Sequence, residues 1–315
     1  MNIKKVGLTA LAASLVSVSA HAGEMSVAGS ASIGLKNTSK TSTGKSWTMG
    51  NQLTFSGSGE LDNGMNVSLS FVIDQNDDST KTTAAQLDNA PFDSHSVTVS
   101  SDAMGSLKFS GEGGSSAQSA IDTTAAGDLW DNGSGFDTPK ASEAGNNSFV
   151  YTLPSLMDDL TLVGSYSPGG AGGPSATAFR IGFTGVEGLS VDFAEGQIET
   201  VGSEADVTTI KGSYAISSFT LSASSTEYDA ASGDETVDSY NVAYTVSDDL
   251  SIAYGTETIE TQGSATDEEA EKFNVSYTTG GVTLAATQYN FEGSGNNAGA
   301  TGEKERWALS ATFAF

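Results

Sequence analysis

From Trp307 to Phe315 every second residue is apolar: Trp307, Leu309, Ala311, Phe313 and Phe315. Between them stand Ala308, Ser310, Thr312 and Ala314. A strand turns successive side chains to opposite faces, so this segment has one apolar face and one small or polar face. Its last position is aromatic. Such a strand suits lipid on one side and water on the other.

The opening of the chain bears on where that strand goes. Asn2, Lys4 and Lys5 form a polar, positive head, 6–18 is apolar and small, and Ala20-His21-Ala22 matches a small-residue cleavage pattern. Residues 1–22 are therefore expected to be a secretory signal peptide, and 23–315 one mature barrel domain. The apolar stretch is too short to span a bilayer. No later run is long enough either, so a membrane form of this chain has to be a closed barrel. Lipid offers no partner to an unpaired backbone group.

Composition narrows the class. Lys4 and Lys5 leave with the signal peptide, so eleven of the 13 bases remain against 39 acids, a net charge of −28. That excludes a nucleic-acid binder built on a phosphate-neutralising surface. A hydrophobic content of 37% is lean for a packed core of this length. A water-filled barrel explains the deficit, because only every second strand residue has to be apolar. With no cysteine there is no disulfide framework and no thiol chemistry. Regular alternation of Phe, Tyr, Val and Ile argues against disorder, the other reading of so acidic a chain.

Sixteen alternating segments can be counted. The first three carry Met25, Val27, Ile33 and Leu35, then Trp47, Met49, Leu53 and Phe55, then Met65, Val67, Leu69, Phe71 and Ile73. The others centre on 97–99, 107–109, 149–153, 160–166, 179–183, 189–193, 210–214, 219–221, 240–246, 250–254, 273–277, 282–284 and 307–315. Seven tight turns, Asp62-Asn63-Gly64 among them, alternate with eight longer connections. All long connections then emerge at one end. The expected fold is all-β, a 16-stranded antiparallel transmembrane β-barrel. The phase slips between Val207 and Ile210, where a bulge is one explanation.

The whole chain resembles the general diffusion porins of Gram-negative bacteria, most closely those of alphaproteobacteria. The resemblance is carried by the leader, the sixteen strands, Phe315, and the segment 111–147 running into Asn147-Ser148-Phe149-Val150-Tyr151. It implies a water-filled outer-membrane channel for passive diffusion of small polar solutes and ions, with no enzymatic activity and no required cofactor. It implies that the third long loop, after the fifth strand, folds inward. It also implies a homotrimer amid outer-membrane lipid and lipopolysaccharide, with Phe315 read by the barrel-assembly machinery. One departure is the small number of bases, against the family's cluster of wall arginines.

The segment 111–147 holds Glu112, Asp122, Asp128, Asp131, Asp137 and Glu143 with one base, Lys140, and 117–126 suits a short helix. Folded inward, it lines one side of the passage with carboxylates, and such charge sets ion preference. Lys36, Lys108, Arg180, Lys211, Lys272 and Arg306 are out of phase with the apolar residues, so they face the lumen. At the lipid midplane a base costs roughly 2–4 kcal/mol. Inward Glu60, Asp74 and Asp192 add to the loop acids, and the expected channel is weakly cation-preferring.

Three further expectations follow. Acidic runs at Asp77-Asp78 and at 256–271, with Asp267 and Glu268, offer oxygen to Ca2+ or Mg2+ without EF-hand spacing. Small outward residues, Gly29, Ala31, Gly57 and Gly59, suit close contact between copies. Aromatic girdles are expected from Phe183, Tyr214, Phe219 and Phe315 at the turn end, and from Trp47, Tyr228 and Trp307 at the loop end. The competing classes are a barrel hydrolase using His95 with Ser94 or Ser96, and a plugged structural or adhesin barrel. No Gly-x-Ser-x-Gly elbow or metal-type histidine pair accompanies His95. Abundant small inward Ser, Thr, Gly and Ala favour an open lumen over a plugged one.

Overall fold

The computed structural model describes residues 23–38, 44–74, 93–132, 135–142, 146–169, 174–295 and 302–315. The strands are β1 Met25–Thr38, β2 Lys45–Glu60, β3 Asn66–Asp74, β4 Ser94–Ser101, β5 Gly105–Glu112, β6 Ser148–Thr152, β7 Leu160–Ser167 and β8 Ser175–Phe183. They continue with β9 Leu189–Thr200, β10 Ser203–Ile216, β11 Phe219–Ala230, β12 Glu235–Ser247, β13 Leu250–Thr261, β14 Glu268–Thr279, β15 Val282–Glu292 and β16 Lys304–Ala314. Each pairs antiparallel with its chain neighbours, and β1 pairs with β16 to close the barrel. Closure leaves no open sheet edge, which is the condition for backbone in lipid.

Register sets the two faces. Ala31 lies opposite Phe313, Leu53 opposite Ile73, and Ile181 opposite Phe193. Apolar residues therefore coincide across strands in an outward band, where Leu53, Leu69, Phe179, Tyr240, Phe273 and Leu309 are all exposed. The seam is tied by Phe315. Its N–H donates to the Gly29 carbonyl at 3.0 Å, and its carbonyl accepts from the Gly29 N–H at 2.8 Å. A Cβ on Gly29 would lie 2.6 Å from the Phe315 ring and 2.9 Å from Leu53. Gly29 is thus small because it seats that ring, a cause within this one chain rather than between copies.

Several expectations need correction. Not all loop-end connections are long, because β9 and β10 are joined by Val201 and Gly202 alone and β11 and β12 by 231–234. The upper parts of these strands carry Glu195, Glu199, Glu204 and Asp206 outward, so their alternation lacks the apolar partner that marks a strand. The acidic run at 256–271 is likewise largely strand, the ends of β13 and β14. Pairing of β10 with β9 and β11 is continuous, with no bulge at 207–210. Val207 is fully buried on the inner face. Tyr228 pairs with Val207 and shares that face, so it is not in the outer girdle. No α-helix forms at 117–126; turns there lead to a 3-10 turn at Leu129–Asn132.

Candidate functional site

The described part of the connection from β5 to β6, residues 113–132 and 135–142, turns into the barrel and lies against one side of it. Burial marks the footprint. On β9 to β15 inward residues such as Ala194, Val207, Ser239, Ile259, Ala270 and Phe291 are buried. On β1 to β4 no described inward residue is buried. The inner loop thus covers one wall and leaves the other to the lumen.

Its attachment has two parts. The first is a small apolar core: Ala126 and Leu129 pack with Ala270, Tyr289 and Phe291, and Phe136 joins them. The Phe136 and Phe291 rings meet edge-on, with centroids 5.2 Å apart. The second is a ladder of wall acceptors that satisfies loop N–H groups, which burial would otherwise leave unpaired at about 1–3 kcal/mol each. Ser165 accepts from the Ala117 N–H, Ser224 from Ala125 and Ser239 from Ala126, at 2.8, 2.8 and 2.9 Å. Glu257 accepts from Leu129 at 3.2 Å and Trp130 at 2.9 Å. Glu268 accepts from Asp137 and Glu235 from Lys140, both at 2.7 Å, and Glu268 also takes the N–H of Gly295 in the β15–β16 connection at 2.7 Å. The Gln118 side chain spans Thr209 on β10 and the Ser142 N–H.

The wall bases complete the grip. All six point inward, as the phase predicted. Lys211 donates to the Thr123 carbonyl and Lys272 to the Ala126 carbonyl. Arg306 donates to Asn132 at 2.8 Å. Arg180 instead binds its neighbour Asp192, with Nη2 to Oδ1 at 2.7 Å. Lys108 is exposed and Lys36 half-exposed on the wall left open.

Glu143 lies outside the described residues, and the other loop acids differ in exposure. Asp131 and Asp137 are exposed. Asp122 and Asp128 are half-buried between the loop and β10 to β12. Burial, then the neighbouring Asp128 carboxylate, push the Asp122 carboxyl from 3.8 to about 6, and Lys211 partly offsets this. Asp128 takes a positive φ of 50° and closes a reciprocal pair with Thr124.

Glu112 departs from the expected set. The pairing of β4 with β5 shifts so that Ser96 faces Ser110 but His95 faces Glu112, which makes Gly111 the extra residue of a bulge. His95 also lies opposite outward Phe71, so Glu112 is turned to the outer face, with its Oε2 3.9 Å from His95 Nδ1. Gly111 permits this, because a Cβ there would run into the His95 ring. Ser94 and Ser96 point the opposite way from His95, so the serine–histidine pair of the hydrolase reading does not form.

The expected cation ligands also fall elsewhere. Glu268 lies inside, bound to loop amides, and Asp267 ends the short β13–β14 turn. Asp77 and Asp78 lie outside the described residues. Among the described residues no group of three metal-binding side chains gathers. Glu257, Glu268 and Glu235 were not anticipated as loop anchors. The available signal was an acid in the inward phase of a strand next to apolar inward residues, as in Glu257 and Ile259.

Comparison with known proteins agrees with this architecture. No curated protein sequence matches the chain. Solved structures match in fold at low identity. A refined porin gives a TM-score of 0.68 at 14% identity, covering 93% of this chain and all of that one. An anion-selective porin from Comamonas acidovorans gives 0.65 at 15%, with the same coverages. The trimer form of OmpT, an outer membrane protein of Vibrio cholerae, gives 0.66 at 15%, again covering 93% and 100%. The model of a Gram-negative porin family matches residues 7–297. The chain belongs to the Gram-negative porins and forms an outer-membrane channel.

Proposed function

We propose that this porin is a weakly cation-preferring, non-specific channel for passive diffusion of small polar solutes and ions. The observation that carries the reading is the inner loop held in the lumen with Asp131 and Asp137 exposed. Facing it, the inward side chains of β1 to β4 are mostly hydroxyl and amide, such as Ser32, Thr48, Gln52, Ser70 and Thr98. Low-dielectric walls focus the field of the acids and concentrate cations in the passage. Lys211, Lys272 and Arg306 oppose this less than their number suggests, because they sit at loop carbonyls. Channel function without catalysis is supported by the placement of His95 on the outer face.

Reversal potential across a bilayer in a KCl gradient tests the reading. The expected result is a few-fold preference for potassium, fading toward 1 M salt, where the Debye length is about 3 Å. Changing Asp122, Asp128 and Asp131 together to Asn should reduce it. Lowering the pH through about 6 should do so in part, because Asp122 takes up a proton and loses its charge there. The groups around that carboxyl are Asp128, Lys211 and Lys140. Chloride preference at low salt would overturn the reading.

We also propose that residues 1–22 are cleaved and that the mature chain is a homotrimer, inserted with help from the barrel-assembly machinery and surrounded by lipid and lipopolysaccharide. Support comes from small outward Ala31, Gly57 and Gly59 and from the trimeric relative. An intact mass beginning at Gly23, and cross-linking in mild detergent that stops at three subunits, are the expected results. Monomers alone would sink the trimer.

A further inference from the structure

The wall that the inner loop leaves open carries an unbroken row of serines. Ser26 on β1 lies opposite Ser56, Ser56 opposite Ser70, and Ser70 opposite Ser96. Ser96 then lies opposite Ser110, and Ser110 opposite Ser148 on β6. Val27, Leu69, Val97 and Phe149, next to them in the chain, are exposed on the lipid side, so the row faces inward. Neighbouring strands are about 4.8 Å apart, and the hydroxyls follow one another around the lumen at that interval. Two residues nearer the turn end, Ser58, Ser68 and Thr98 begin a second row.

The first row passes from open lumen to the root of the inner loop. Ser26 is exposed, Ser56, Ser70 and Ser96 are half-buried, and Ser110 and Ser148 are buried. Ser148 is 2% exposed, and its Oγ has no hydrogen-bond partner among the described residues. The row thus ends on unspent hydrogen-bonding capacity, which a hydroxyl arriving along it would use. The inward charges of β1 to β5 stand off this row, Lys36 and Asp74 toward the loop end, Lys108 and Glu60 toward the turn end.

A serine hydroxyl both donates and accepts, whereas a carboxylate only accepts and an ammonium only donates. A sugar or sugar alcohol carries a donor and an acceptor on nearly every carbon. Where the inner loop narrows the passage and displaces water, such a solute keeps its hydrogen bonds only if the wall supplies both kinds in close succession. The serine row does so without a charge that would hold an ion in its place.

We propose that the row is a transfer belt for neutral polyhydroxylated solutes, along which sugars and sugar alcohols exchange hydroxyl partners as they pass the inner loop. The proposal deepens the passive-diffusion reading and rests on it for an open passage.

The test is swelling of liposomes that hold the intact protein, with protein-free liposomes as the blank. Sorbitol is compared with tetraethylene glycol, a chain of similar length with a hydroxyl only at each end. Changing Ser56, Ser70 and Ser96 together to Ala should slow sorbitol about threefold, the effect of roughly half a net hydrogen bond, and leave the glycol rate and the KCl conductance as they are. Thr at the same positions keeps the hydroxyls and should keep the ratio of the two rates. Ser213→Ala with Ser222→Ala, paired on β10 and β11 of the covered wall, should change neither rate. Resistance to heat on gels shows that each variant is a folded barrel. A ratio that survives the triple Ala change overturns the belt and leaves passive diffusion intact. An equal fall in both rates also overturns it, because the serines then only wet the wall. Entry of neither solute through wild-type channels that conduct KCl removes the diffusion reading for neutral solutes, and the belt with it.

Discussion

Replacing Glu257 and Glu268 together by alanine should widen the channel severalfold in conductance. These two carboxylates are 2% and 1% exposed, and between them they receive the N–H groups of Leu129, Trp130, Asp137 and Gly295. A hydrogen bond to a charged group contributes about 1.5–3 kcal/mol, and a buried N–H left bare costs more than the bond's net worth. Losing the three that hold the inner loop, those from Leu129, Trp130 and Asp137, exceeds what the apolar contacts of Leu129 and Phe136 can hold in place. The barrel wall needs neither carboxylate for its own strand pairing, so the shell should survive while the loop detaches. Single-channel conductance and the largest sugar that swells protein-loaded liposomes should both increase. Gln at both positions keeps an acceptor and should give an intermediate result. Wild-type conductance in the double Ala variant would mean that the hydroxyls of Ser165, Ser224 and Ser239, with Glu235 and the wall bases, hold the loop without these two carboxylates.

A second large effect is expected from Gly105→Val, this time on the shell. Gly105 opens β5 at φ 76°, a left-handed conformation that costs other residues roughly 1–2 kcal/mol and a β-branched one more. A Cβ there would also meet backbone on the neighbouring strand, the Thr152 carbonyl and, at 2.7 Å, the Pro154 nitrogen. Neither is the movable end of a side chain, so the turn and the start of β5 have to shift. β5 leads directly into the inner loop, and the error is passed on. Most of the protein should fail to reach the heat-resistant form on refolding in detergent. Ala103→Val, in the same exposed turn, should change stability by less than about 0.5 kcal/mol. A fully heat-resistant Gly105→Val barrel would show that the turn relaxes without cost.

The lipid-facing shell was readable because lipid imposes one rule on every outward position. Phe179 and Ile181 flank Arg180, and that triplet alone assigns three side chains to two faces. The rule stops where lipid stops. Above the apolar band the outward positions of β9 and β10 are polar, as Glu195, Glu199, Glu204 and Asp206 show, so Glu195 to Asp206 reads as a loop although it is a hairpin. It also fails where the lumen is not wet. Val207, Ile259 and Phe291 are inward and apolar because the loop dries that wall, and the first of them reads as a slip of phase. Glu112 misled for a different reason: the register shift beside His95 depends on pairing between strands, which spacing along one strand cannot reveal. The inward bases were placed correctly by phase, but their partners were not. Carbonyls such as those of Thr123 and Asn132 come from a loop whose path is set by the whole wall.

The hydroxyls and carboxylates that receive the inner loop make it a lining attached to half of the wall. Solutes pass between this lining and the strands it leaves bare. The number of strands then fixes what the membrane has to accommodate, and under the proposed function the lining sets what gets through. Changes to residues 113–142 can retune the sieve while the lipid-facing surface stays as it is. A chain built this way can alter its diet without renegotiating its place in the membrane.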